Sequence, residues 1–440
     1  MRERLDSALQ GNGSVVFVTG QAGIGKTRLA REVRNHAVGM GCQWLEGRYE
    51  KVVSQPYQAW TEITRSYLHQ KGTSFQSVVA PYAVHLAKIV PEVGGELESS
   101  SAAVRSDPAG ERFRLFEGLT EFFLHVSREV PLVLFVDDLQ WAPSIELVQH
   151  LAQSIGNQRV LTIGAYRDDE LKDNPGLSRA VLAMNRQRLF HSLPLKPLDQ
   201  QGVGQLMSQA VEGSMASQLV EAVYQRTEGN PFFVEEVTRF LQERETIVQT
   251  DTGWNVRGST RLATPDSVKA VIGERLERLG EDAAESLRMA SIIGRDFSLP
   301  LLRELLDQGE DRLIQIMDKS TRAGLVLFMR APGEEVYSFT HDLMQEALYE
   351  SVGPASRTRH HLRIGQTTEK LYAARLEGWY DALAYHFLEG NDLQKAVEYS
   401  VRAGDRASAI YTWGRANSHF QTALELLEKL DAEPRQQAEV

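Results

Sequence analysis

Residues 14–32 read SVVFVTGQAGIGKTRLARE. The run SVVFVTG (14–20) is short, β-branched and apolar and ends at Gly20, the pattern of a buried strand. Leu29, Val33 and Ala37 then recur at helical spacing. Between strand and helix, Gly20-Gln-Ala-Gly23-Ile-Gly25-Lys26-Thr27 meets every fixed position of G-x-x-x-x-G-K-[ST]. The chemistry needs each part. Glycines let backbone N–H groups turn inward around phosphate oxygens. Lys26 brings a point charge to the outer phosphates, and Thr27 offers a hydroxyl to Mg²⁺. The helix start adds its partial positive charge. With Ala22, Ile24 and Arg28, this loop forms the expected nucleotide-binding set.

LVLFVDDLQW (132–141) supplies the other wall. Leu132 to Val136 have no polar face, so the strand is expected to be buried on both sides. It ends in Asp137 and Asp138, like charges that must be solvated, paired or metal-bound. In phosphoryl-transfer sites an acidic strand end holds Mg²⁺ between the outer phosphates. Asp137 is the expected metal-side group, with Thr27, and Asp138 the expected water-side group. A helix start at LQWAPSIEL is the other reading of Asp138.

Outward from these motifs, CQWLEG (42–47), RVLTIGAYR (159–167) and RLFHSLPL (188–195) read as further strands. APSIELVQHLAQSI (142–155) reads as a helix, and residues 55–127 as mainly helical around a mobile, Gly- and Ser-rich loop near 90–110. Alternating strands and helices predict an α/β domain with a parallel sheet over 1–197. A helical domain follows over 198–262, closing on a hairpin within 246–265. Short helices and two strand-like runs around a Pro-Gly turn predict a winged helix over 263–355. Residues 356–440 are helical, with Ala, aromatic and Leu spacings like tetratricopeptide (TPR) helices. Fewer than two such repeats are visible, which predicts a chain cut from a longer one.

The 440 residues exceed what one core organises. Net charge is −11, against a chain held on nucleic acid by bulk charge. The single cysteine, Cys42, cannot form an intrachain disulfide, and no apolar run reaches membrane-span length. MRERLDSALQ lacks the apolar core of a signal peptide, so the cytoplasm is the expected compartment.

GQAGIGKTRLARE, LVLFVDDLQWA, GAYRDDE, EGNPFFVEEV and YSFTHDLMQEALY occur in an order that resembles the STAND signalling ATPases, in the branch found in large ATP-binding LuxR-type regulators. The resemblance implies ATP or ADP with Mg²⁺ as cofactors. It implies that Arg167 reads the γ-phosphate, whereas locally Arg167 could simply pair with Asp168 or Asp169. It implies that Pro231 lies against the adenine; locally, Asn230 caps a helix that Pro231 opens. It implies that His341 reaches the β-phosphate of ADP and locks the domains shut, with Asp342 orienting the loop; a lone histidine after a strand can also be structural. Related chains carry a glycine-containing segment before RERL. Here Met1 stands there, which leaves the adenine pocket incomplete or built by Arg2 alone.

The implied function is a switch held closed with ADP, opening and self-associating with ATP, reset by slow hydrolysis. Input would come from an unknown inducer or protein through the helical repeats, and catalysis from Lys26, Asp138 and Arg167. Residues 264–350 hold 17 Asp/Glu and 10 Lys/Arg, a net −7, so no direct DNA binding is expected of the winged helix. The basic SRTRHHLRIG (356–365) lies on an expected helix. The alternatives are an AAA+ initiator or loader on DNA, a small-molecule kinase, or a non-hydrolysing ADP-bound scaffold.

Overall fold

A computed structural model describes residues 1–50, 57–71, 76–93, 108–250, 253–256, 268–331 and 334–438. Five strands form one parallel sheet: β1 (Ser14–Thr19), β2 (Gln43–Arg48), β3 (Leu132–Asp137), β4 (Val160–Tyr166) and β5 (His191–Pro194). Their order is β2-β3-β4-β1-β5. Alternation along the strands fills two cores. Val15, Phe17, Leu134 and Val136 pack with the helices Gln58–Lys71 and Pro108–Glu129. Val16, Val18, Val133 and Phe135 pack beneath the helices Arg2–Leu9 and Lys26–Gly39.

This order places β4 between β1 and β3. The phosphate loop after β1, the aspartates ending β3 and Arg167 after β4 therefore rise at the same C-terminal edge, where open α/β sheets bind ligands. Leu134, fully buried at the centre of β3, carries this geometry. Leu134→Ala should cost about 2–5 kcal/mol by cavity formation. A lowered melting temperature for the first unfolding transition would show it; an unchanged one would mean the site edge is held from elsewhere.

Several boundaries differ from expectation. The second strand extends to Arg48, which brings that side chain to the ligand edge. The helix expected from 142 starts at Glu146, after a 3₁₀ turn Leu139–Trp141, because Pro143 and the Ser144 side-chain bond to Glu146 N reset the chain. Most of the loop expected near 90–110 lies outside the described residues.

Beyond the sheet, the helices Gln200–Ala210, Ser217–Thr227 and Pro231–Glu243 share a core of Val203, Met207, Val223 and Val237. The expected hairpin is β6 (Ile247–Thr250) with β7 (Gly253–Val256); residues 257–265 lie outside the described set. The next unit has helices Val268–Leu279, Glu281–Ile293, Leu299–Leu306, Glu310–Arg322 and Asp342–Ser351. Its antiparallel sheet runs β8 (Asp296–Ser298), β10 (Glu334–Phe339), β9 (Val326–Ala331). The hairpin β9–β10 was expected; the three-residue β8 was too short to read from pattern. The helix Pro354–Leu371 then leads to a TPR-like helical region, Tyr380–Glu389, Leu393–Ala409 and Trp413–Ala438. There Gly404 permits close approach: a Cβ would meet the Phe420 ring at 2.5 Å. Among the described residues no helix is long and apolar enough to cross a membrane.

Candidate nucleotide site

Gly20, Gly23 and Gly25 adopt φ of +143°, +76° and +102°, backbone that L side chains rarely reach. The loop so formed wraps the Lys26 side chain, whose Nζ donates to the carbonyls of Gly20 (2.7 Å) and Gln21 (3.0 Å). Burial and then the charge of Arg167 hold the Lys26 ammonium below its usual range. Thr27 Oγ1 donates to Asp137 Oδ2 at 2.9 Å, so the loop's hydroxyl and the strand's carboxylate meet directly.

Asp138 takes left-handed backbone (φ 55°, ψ 43°), which aspartate tolerates, and precedes the 3₁₀ turn. Its carboxylate does not cap that turn. It accepts instead from Gln140 Nε2 (2.9 Å) and from Arg295 Nη1 (3.0 Å). Burial, then the neighbouring Asp137 and Asp342, pushes its pKa up to about 7. Asp137 is also raised by burial, against the pull of Arg295 and the Thr27 hydroxyl.

Arg167 is buried over the Trp141 ring, 5.3 Å from its centroid. Its carboxylate partners are Glu170 (2.6 Å), Asp342 (2.5 Å) and Glu346 (3.2 Å), not Asp168 or Asp169. Those charges raise its pKa although burial works the other way. Gln140 joins the two groups: its Nε2 holds Asp138 and its Oε1 accepts from Arg167 N at 3.1 Å.

The later units close over the loop. Asn230 caps the helix that Pro231 opens, accepting from Phe233 N, while its Nδ2 donates to Ala22 O at 3.0 Å. A Cβ on Gly23 would meet Asn230 Oδ1 at 2.9 Å, Leu343 Cδ1 at 3.0 Å and Phe232 Cβ at 3.0 Å. His341 packs against Phe232 with the rings tilted by 52° and their centroids 4.3 Å apart. Partial desolvation and Arg295 hold its pKa down to about 4, so the ring is neutral and able to donate one N–H. Arg28 pairs with Glu235 at 2.8 Å.

Together these groups line a cavity of about 680 Å³ that includes Ala22–Arg28, Asp137, Asp138, Arg167, Pro231 and His341. That volume suits a nucleotide. Arg2 is not part of the wall. Its helix turns Leu5 and Ala8 onto the sheet and leaves Arg2 exposed, outside the lining of this cavity. Sequence reading missed Arg48, Gln140 and Arg295. Gln140 and Arg295 carry no motif; Arg48 could have been found as a cation ending a parallel strand. Among the described residues no set of three or more His, Cys, Asp or Glu is placed to hold a metal unaided. A Thr27 hydroxyl against one carboxylate nonetheless fits Mg²⁺, which takes few protein ligands and completes its shell from phosphate and water.

Residues 1–163 match the AAA ATPase domain family. The whole chain superposes, at TM-score 0.50 and 15% identity, on a Signal Transduction ATPase with Numerous Domains (STAND) protein with a tetratricopeptide repeat sensor from Pyrococcus horikoshii; the match covers 98% of this chain and 57% of that one. The chain shares the fold of that protein. An uncharacterised protein of Rhizobium meliloti (strain 1021) is 27% identical over 440 residues, 96% of this chain. The chain spans 41% of that relative. Drosophila ORC bound to AT-rich DNA and Cdc6 aligns at TM-score 0.24 and 10% identity, too low to carry an argument.

Proposed function

We propose that this chain is an ATP/ADP-dependent signalling switch, the regulatory part of a larger regulator, with slow hydrolysis as its reset. One observation carries the reading. The loop that would hold phosphate is also the seat of two later units: Gly23 has no room for a Cβ between Phe232 and Leu343. A change at the phosphates is thereby transmitted to packing outside the first unit.

On this reading Gly20 to Arg28 cradle the phosphates, Lys26 neutralises them, and Pro231 lies at the base. Thr27 and Asp137 would hold Mg²⁺, which supplies charge neutralisation between the outer phosphates when bound. Asp138 orients water, and Arg167 meets the γ-phosphate once released from its present partners. His341 donates its N–H toward the β-phosphate and holds the closed arrangement. The proposed units are 1–197, 198–262, 263–355 as a winged helix, and 356–440 as linker and repeats. The winged unit's net −7 supports a switch element over a duplex reader.

Contacts between the repeats and the first unit support an input through them. Ile410 packs against the core of the first unit, and the Lys88 ammonium lies 5.3 Å from the Tyr411 ring centroid. Self-association on opening would then be coupled to an inducer at the repeats. His341→Ala should release ADP at least about tenfold faster, the loss of one hydrogen bond to a charged group, and shift the ADP-loaded chain toward oligomers in light scattering. A variant that stays monomeric with wild-type ADP release refutes the His341 lock.

A further inference from the structure

Four side chains form a line of alternating charge across the site. Asp138 Oδ2 meets Arg295 Nη1 at 3.0 Å, Arg295 Nη1 meets Asp342 Oδ1 at 2.7 Å, and Asp342 Oδ2 meets Arg167 Nη2 at 2.5 Å. The outer pair, Asp138 and Arg167, belongs to the sheet unit; the inner pair, Arg295 and Asp342, belongs to the β8–β10 unit. Gln140 ties the outer pair together from behind. The line is largely enclosed, with side-chain exposures of 6%, 19%, 18% and 4% from Asp138 to Arg167. Screening by salt is therefore weak, and removal of one partner leaves a buried charge uncompensated.

We propose that Arg295 is a masking residue: it occupies the Asp138 carboxylate, and with Asp342 on Arg167 it keeps the hydrolytic groups silent while the β8–β10 unit is docked. This rests on the roles proposed above for Asp138 and Arg167. Arg295 stands in the turn between the helix Glu281–Ile293 and β8, one residue before Asp296, which itself pairs with Arg48 at the end of β2. The turn is thus fastened to the sheet edge at two successive residues. Because Arg295 and Asp342 also pair with each other, they can leave as one neutral couple. Their departure frees an anion for water and a cation for phosphate in a single step. In this docked state both oxygens of Asp138 are engaged, Oδ1 by Gln140 and Oδ2 by Arg295, and the guanidinium draws down the carboxylate's basicity toward a water.

The test is single-turnover hydrolysis of ATP by the full chain. Arg295→Gln should raise the rate at least about tenfold, since one masking group is worth a factor of that order, with ATP affinity little changed. Arg295→Lys keeps a cation at that position and should stay near wild type. The exchange Arg295→Asp with Asp342→Arg keeps the couple's internal attraction but sets like charges against Asp138 and Arg167. It should drive the β8–β10 unit off the sheet edge and hydrolyse as fast as Arg295→Gln or faster. The proposal is overturned if Arg295→Gln and the exchange variant both hydrolyse at or below the wild-type rate, or if Arg295→Lys is as fast as Arg295→Gln. Loss of nucleotide in Lys26→Ala alongside either result would leave the site reading standing; retention of nucleotide there would remove the site reading itself.

Discussion

Lys26→Ala is expected to purify without nucleotide and to bind ATP and ADP on the order of 10²–10³-fold more weakly, as loss of a buried charge-assisted contact implies. Lys26 is buried at the centre of the loop, and its ammonium donates to the carbonyls of Gly20 and Gln21. Desolvation and the nearby Arg167 disfavour its charge, so a phosphate at that point relieves a cost already present. Chromatographic quantitation of nucleotide released on denaturation gives the answer. One nucleotide per chain in the variant would mean the cavity between Gly20–Thr27 and Asp137 is not the binding site.

Asp138→Asn should separate an enzyme from a simple switch. The expected loss in single-turnover hydrolysis is about 10²–10⁴-fold, the range for a positioned general base, with nucleotide affinity kept within a few fold. The carboxylate is suited to that task by position, since it stands beside Asp137 at the end of β3 and lines the same cavity as Lys26 and Arg167. Asp137→Asn should behave differently. It strikes the group bonded to Thr27 and should first abolish dependence on Mg²⁺. Equal hydrolysis by wild type and Asp138→Asn would reduce Asp138 to a turn residue favoured by its left-handed backbone.

Much of the first unit was legible because its signals are local. The strand before Gly20 and the apolar run before Asp137 need only period and burial to be read. Asn230 and Pro231 declare a helix start by themselves, and the structure shows that start. Gln140 and Arg295 were not legible, since their partners are set by tertiary packing: Arg295 is 157 residues from Asp138 in the chain. The exposure of Arg2 has a physical origin too. A charged residue near a pocket's expected position says little until the adjoining apolar residues choose the helix face, and Leu5 and Ala8 choose the sheet. β8 escaped because three residues carry too little alternation to distinguish a strand.

Ile410 and Tyr411 fold the last helices back onto the first unit, so the chain closes through two separated seats, this one and that of the β8–β10 unit on the phosphate loop. Seats on one tether raise each other's effective concentration. Prising Ile410 from its place would therefore weaken the distant seat without touching it, by lengthening the loop of chain that must be closed. A ligand of the repeats would thus act by chain entropy as well as by any contact it makes, and weak binding far from the phosphates would suffice to tip the balance.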